Sequence, residues 1–173
     1  MLKKNIYYII NVGGIMNRKG FTLIELLAVI VLISIIMIIT VPNVVEYVKS
    51  SRETSYKILI KNTISASKTY YEECEYGDLS DSSKYGSYAC QIINGNTIET
   101  TLGALANTGM LSVKDIDPND KNKKIVLNPK DNTNISSCNI TITKTVDTNY
   151  KVTYNITSNI TSSNCPDING SIN

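Results

Sequence analysis

One nearly all-aliphatic block, residues 21–41 (FTLIELLAVIVLISIIMIITV), limits what this chain can fold into more than any other feature. Coiled as a helix it rises ~31 Å, the thickness of a bilayer's hydrocarbon core. A secretory signal that is removed on export has a shorter apolar core followed by a small-x-small cut site. The block has neither property. It is expected to span a membrane and to stay in the mature protein. The remainder of the 173 residues is polar, rich in Asn, Thr, Ser and Ile, and leaves room for one further domain.

Glu25 interrupts the block. An ionised side chain near the centre of a bilayer helix costs on the order of 3 kcal/mol, and less toward one end. The block contains no base to pair with it. A positive charge from outside this chain is therefore expected as its partner. The flanking bases do not settle orientation by number: Lys3, Lys4, Arg18 and Lys19 precede the block, and Lys49, Arg52, Lys57 and Lys61 follow it. Arg18 and Lys19 lie nearer to it than any later base, and all four cysteines come after it. Both facts place the C-terminal side outside.

The cysteines, Cys74, Cys90, Cys138 and Cys165, are separated by 16, 48 and 27 residues, unlike any zinc knuckle. Two disulfides are expected. Of the three connectivities, Cys74–Cys90 with Cys138–Cys165 closes the local loops, each bridge stabilising the fold by ~3 kcal/mol. The net charge of +2 is set by the first twenty residues, which hold four bases and no acid. Without them the chain carries −2. No basic stripe interleaved with aromatics remains, which argues against nucleic-acid binding as the main role. Histidine is absent from the sequence, and neither a nucleophile-elbow serine nor a Gly-rich phosphate loop occurs, so catalysis is not expected.

Met16-Asn17-Arg18-Lys19-Gly20 followed by Phe21-Thr22-Leu23-Ile24-Glu25-Leu26-Leu27 resembles the type III leader and cleavage site of type IV prepilins and pseudopilins. The resemblance implies that a membrane prepilin peptidase cuts after Gly20 and methylates the new amine of Phe21. It also implies that Glu25 pairs with the corresponding amine of a neighbouring subunit, and that Pro42 stands where many members kink the helix. The implied partners are the peptidase, the pilus assembly platform, the membrane, and copies of the chain and other pilins in a helical fibre. The written leader, residues 1–20, includes the apolar stretch Ile6 to Ile10, whereas family leaders are commonly short and polar. Translation is expected to start at Met16, giving the leader MNRKG.

Beyond Pro42, Val44, Val45, Val48, Tyr56, Leu59, Ile60, Ile64 and Tyr70 recur at helical spacing, and no Gly or Pro intervenes before Gly77. One helix is expected from Thr22 to about Glu73, kinked at Pro42 because proline removes a hydrogen bond and crowds the preceding turn. Its tyrosines read as packing residues. Residues 74–99 read as a loop, and Thr100 to Thr108 as a short helix capped by Gly109. Asp115 to Lys124 reads as a polar turn region. Strands are expected at Lys124–Asn128, from Cys138 to Thr143 and from Tyr150 to Ile156, the last two joined by a turn at Asp147–Asn149 and alternating in polarity. Cys138 should then face inward with Ile140 and Ile142, within reach of Cys165. The fold class is α+β: a long N-terminal helix packed on a small antiparallel sheet, pilin-like. The divisions are a leader at 1–20, a membrane and assembly helix at 21–41, and an exported head at 42–173.

Asp115, Asp117, Asn119, Asp120 and Asn122 place oxygen ligands at alternate positions, as a calcium loop does. The glycine and closing glutamate of an EF-hand are missing, so a solvated turn is the default. Some pseudopilins hold calcium before their last strands, which the resemblance extends to Asp115, Asp117 and Asn119; no other cofactor is expected. Asn134, Asn139, Asn155 and Asn159 each begin an N-x-[ST] sequon, which alternating Asn and Thr produce by composition alone. The functional expectation is a structural pilus or pseudopilus subunit, in motility, adhesion, secretion or DNA uptake. It would be held in the cell membrane by a single pass with its head outside, and then become part of an extracellular fibre. The contrasting expectation is a signal-anchored surface adhesin or binding module that never polymerises.

Overall fold

The computed structural model describes residues 21–77, 79, 81–90, 92–93, 95–159 and 165–173. The chain divides into two compact units, one ending at Val44 and one running Val45–Asn173. Helix α1, Leu23–Tyr76, contributes to both. It ends within a turn of the expected position, where Gly77 donates to the Glu73 carbonyl at 3.0 Å.

The second unit holds the short helix α2 (Ser82–Tyr85) with a 3-10 turn at Gly86–Tyr88, strand β1 (Thr97–Thr101), helix α3 (Leu102–Asn107) and five further strands. These are β2 (Ile116–Asp117), β3 (Asp120–Lys124), β4 (Asn139–Val146), β5 (Val152–Ser158) and β6 (Asn169–Ile172). The main sheet is antiparallel with strand order β1-β4-β5-β6, and β2 and β3 form a separate hairpin. This is the α+β, pilin-like fold.

Burial follows the sequence pattern. Along β4, Ile140 and Ile142 are buried while Asn139 and Thr141 are not. In β5, Tyr154 and Ile156 are buried beside exposed Asn155. The opposing helical face carries Thr63, Ala66, Ser67, Tyr70, Tyr71 and Cys74, at three- and four-residue spacing, all buried. Small residues on that face let helix and sheet approach closely. At Gly170 the approach is close enough that a Cβ would require the end of the Ile64 side chain to shift. Tyr71 and Tyr154 meet edge-to-face at 5.4 Å between ring centroids, closing the helix–sheet seam.

Helix α3 lies over the end of β1, with Thr101 as its N-cap accepting from the Ala104 N–H at 3.1 Å. Gly109 follows its C-terminus at φ 86°, the left-handed conformation that glycine adopts without a Cβ penalty. Cys138 is buried beside Ile140 and bonded to Cys165, and Cys74 to Cys90. The expected packing of the helix tyrosines holds for Tyr70 and Tyr71 but not for Tyr47, which is exposed, and Tyr150, expected to open the last of the read strands, lies outside β5 and is exposed.

Three expectations about elements are corrected. β1 lies partly in the stretch read as loop, because Thr97–Thr101 has one strongly apolar residue, Ile98, and so almost no alternation signal. The strand expected at Lys124–Asn128 is displaced: β3 ends at Lys124, and Ile125, Val126 and Asn128 are buried outside any strand. β3 itself, DKNKK, is wholly exposed, so nothing in its composition distinguishes it from the polar turn expected there. β6, Asn169–Ile172, also went unread; it is an edge strand of mostly small polar residues, paired to β5.

Candidate functional site

The first turn of α1 is built by four consecutive residues. Thr22 precedes the helix and Glu25 is its third residue, the T-x-x-E spacing of a capping box. The Thr22 N–H and hydroxyl both donate to Glu25 Oε2, each at 2.8 Å. In return the Glu25 N–H donates to Thr22 Oγ1 at 3.3 Å, and the Leu26 N–H reaches the Thr22 carbonyl at 3.1 Å. Sequence reasoning treated Glu25 as having no partner in its own helix, and the geometry corrects that. Its carboxylate has two donors next door. Both are neutral, so they satisfy its lone pairs without cancelling its charge. The T-x-x-E spacing was the signal that could have revealed the box.

Around this turn the helix is apolar and uncovered. Phe21 is 84% exposed, Leu23 83% and Ile38 77%, and exposed aliphatic side chains continue to Val48. The two hydroxyls within the run are folded back: Ser34 Oγ donates to the Ile30 carbonyl at 2.7 Å and Thr40 Oγ1 to the Ile36 carbonyl at 3.0 Å. Each hydroxyl is thereby paired to its own helix, as an apolar surrounding requires. Pro42 lies inside α1. It cannot donate to the carbonyl of Ile38, so one hydrogen bond of the helical ladder is missing there. Among the described residues no single straight helix is long and apolar enough to cross a membrane. The bent pair Leu23–Ile38 and Thr40–Tyr76 meets that test together by length and composition.

Gly20, the residue before the expected cut, the bases of the leader and Met16 lie outside the described residues. Asp117, by contrast, sits in the β2–β3 hairpin, its Oδ1 accepting from the Asn119 N–H at 2.9 Å and its Oδ2 3.7 Å from Lys123 Nζ. The Asp115 carbonyl accepts from the Ile125 N–H at 3.0 Å. The Asp117 carboxylate thus has two donors of the chain's own beside it, and among the described residues no group of three or more His, Cys, Asp or Glu side chains converges. The sequon residues Asn134, Asn139, Asn155 and Asn159 are all exposed.

One ion pair ties the helix to the sheet in the second unit. Lys144 Nζ on β4 bonds both carboxylate oxygens of Glu75, at 2.8 and 2.6 Å, with the pair mostly shielded from solvent. The hydrogen bonds to Glu75 hold the ammonium well above the usual lysine range, against the opposing cost of burial. Burial, as the largest cause, also raises the hydroxyls of Tyr70, Tyr71 and Tyr154.

A family model described as the prokaryotic N-terminal methylation motif matches residues 15–41. The chain is similar to the ComG operon protein 3 homolog of Bacillus licheniformis, with 46% identity over 57 residues, 33% of this chain and 58% of that protein. It is also similar to competence protein ComGC of Bacillus subtilis, 40% identical over 57 residues, covering 33% and 57% of the two chains. A third relative is the type IV major pilin protein PilA of Myxococcus xanthus, 33% identical over 66 residues, 38% of this chain and 30% of that protein. The chain thus spans little more than half the length of the first two and under a third of the last. No solved structure matches it significantly.

Proposed function

We propose that this chain is a non-enzymatic structural subunit of a type IV pilus or pseudopilus, matured by a prepilin peptidase and assembled through the N-terminal part of α1. The observation that carries the reading is the exposed apolar run from Phe21 to Val48, with one acid, Glu25, held in a capping box in its first turn. So much uncovered aliphatic surface needs lipid or other copies of the same helix around it. The methylation motif and the similarity to competence proteins and a major pilin support the same conclusion.

Cleavage after Gly20 frees the amine of Phe21, and methylation leaves it positively charged. The Thr22 donors hold the Glu25 carboxylate in a defined place without neutralising it. In an apolar surrounding a lone carboxylate is costly and a paired one is tolerated. The amine of an adjacent subunit supplies that pair, fixes the register between subunits and favours the fibre over the free monomer. The assembly platform draws the subunit from the membrane, where a single pass had held its head outside. The Asn- and Thr-rich wet face of the sheet becomes fibre surface.

Mechanical shearing of cells from the native host tests this. The wild-type chain should appear in the sheared fibre fraction, and Glu25→Ala should lower that amount at least tenfold while the membrane-bound amount is unchanged. A wild-type chain that stays in the membrane would instead establish an anchored monomer, and equal amounts of the two proteins in the fibre fraction would refute the role given to Glu25.

A further inference from the structure

Past the apolar block, Val45, Val48, Lys49, Arg52 and Glu53 share one face of α1. With Lys130, which leans across from the turn at 128–133, they enclose a cleft of about 360 Å³. Its floor is aliphatic, and Val45 and Val48 stand exposed. Its rim is cationic. Lys130 Nζ pairs with Glu53 Oε1 at 3.2 Å and lies 4.1 Å from the centre of the Tyr56 ring, so the one carboxylate in the cleft is already neutralised. Arg52 Nη1 donates to the Lys130 carbonyl at 2.8 Å, which fixes the turn against the helix. The turn is braced from within by Asn128, whose Oδ1 takes the Lys130 N–H at 3.0 Å and whose carbonyl takes the Asn132 N–H at 2.8 Å. The rest of the Arg52 guanidinium and the Lys49 ammonium have no ion pair among the described residues.

An aliphatic floor under a surplus of positive charge suits an amphiphile with a compact anionic head. Arginine and lysine side by side match phosphate oxygens, and the valines match the carbons next to them. The position along the chain agrees. Val41, Val45 and Val48 recur at four- and three-residue spacing, so apolar positions lead from the block into the cleft floor. Lys49 and Arg52 come eight and eleven residues after Val41, a helical rise of ~12 to ~17 Å, and their long side chains, tilted toward the helix N-terminus, reach back toward the ~5–8 Å headgroup layer that borders the block.

We propose that this cleft binds the phosphodiester headgroup of an anionic phospholipid in the leaflet from which α1 emerges, while the subunit awaits assembly. The inference rests on the membrane-spanning reading above. Phosphate oxygens lie on Lys49 and Arg52, and glycerol and acyl carbons lie on Val45 and Val48. Binding adds a lipid to the contacts that hold the 128–133 turn on the helix.

The test uses the full chain inserted in nanodiscs of equal phosphatidylglycerol and phosphatidylcholine, then released in a native mass spectrometer so that retained lipids are counted. The wild type should keep phosphatidylglycerol about fivefold over phosphatidylcholine. Lys49→Gln should reduce the ratio to twofold or less, Lys49→Arg should preserve it, and Lys121→Gln, the same charge change on exposed β3, should leave it unaltered. Equal retention of both lipids by the wild type, or equal losses in Lys49→Gln and Lys121→Gln, overturns the proposal. Displacement of the lipid by millimolar glycerol 3-phosphate overturns it too, in favour of a soluble phosphate ester. A chain that stays out of the nanodiscs altogether overturns the membrane reading itself, and the lipid site with it.

Discussion

Removing the Cys138–Cys165 bridge by the paired substitution Cys138→Ala and Cys165→Ala should destabilise the head by about 3.5 kcal/mol. The bridge joins residues 27 apart in sequence, and the chain-entropy relation for a loop of that length gives ~12 cal/mol/K, or ~3.5 kcal/mol at 25 °C. The same relation gives ~3 kcal/mol for Cys74–Cys90, which closes a loop of 16. The two bridges should therefore differ little, with the longer loop costing slightly more. For a head of this size the Tm should fall by roughly 10–15 °C. The sequence has no tryptophan and eleven tyrosines, so tyrosine fluorescence in a urea titration is the natural readout, with thermal circular dichroism beside it. An alanine pair that leaves the urea midpoint within 0.3 M of wild type would refute the loop-closure argument. So would a larger loss from Cys74–Cys90 than from Cys138–Cys165.

Other outcomes follow from single contacts. Ile142→Ala, at a fully buried position in central strand β4, should cost about 3–4 kcal/mol by urea denaturation, whereas Thr141→Ala on the wet face should cost under about 0.5. Stability should fall as pH rises past ~10.4, because the folded-state pKa of Lys144 is raised: the contribution is complete below the unfolded value and lost above it. Tyr70, Tyr71 and Tyr154, also raised, act in the same direction above ~10. Lys144→Met should therefore make this alkaline decline shallower without abolishing it, and lower stability at pH 7 by about 2 kcal/mol, measured as urea midpoints across pH. Thr22→Ala removes the hydroxyl that gives one bond to Glu25 and takes another from it. It should weaken the first turn by about 1 kcal/mol, seen as faster amide exchange at Leu23 to Leu26 in detergent micelles.

How much of this was legible depended on how strongly each segment declares its period. The long helix, α3, and the cores of β4 and β5 could be read because apolar residues recur there at clear helical or alternate spacing, and both disulfides could be read because each closes a local loop. β3 and β6 carry almost no apolar residues, so their pairing is set by the strands beside them, which no local pattern reports. The same was true of Glu25. Its cost in an apolar block was plain from the sequence, but the capping box needed attention to Thr22, three residues earlier, rather than to charge alone. The cleft at Lys49, Arg52 and Lys130 joins residues some eighty positions apart, and only the fold brings them together.

The central claim is that this chain is a precursor whose mature N-terminus is Phe21. Mass spectrometry of the terminus of membrane-extracted protein from the native host tests it directly. The account predicts an N-methylated Phe21 terminus. A chain still continuous through Gly20, in cells with an active prepilin peptidase, would contradict it.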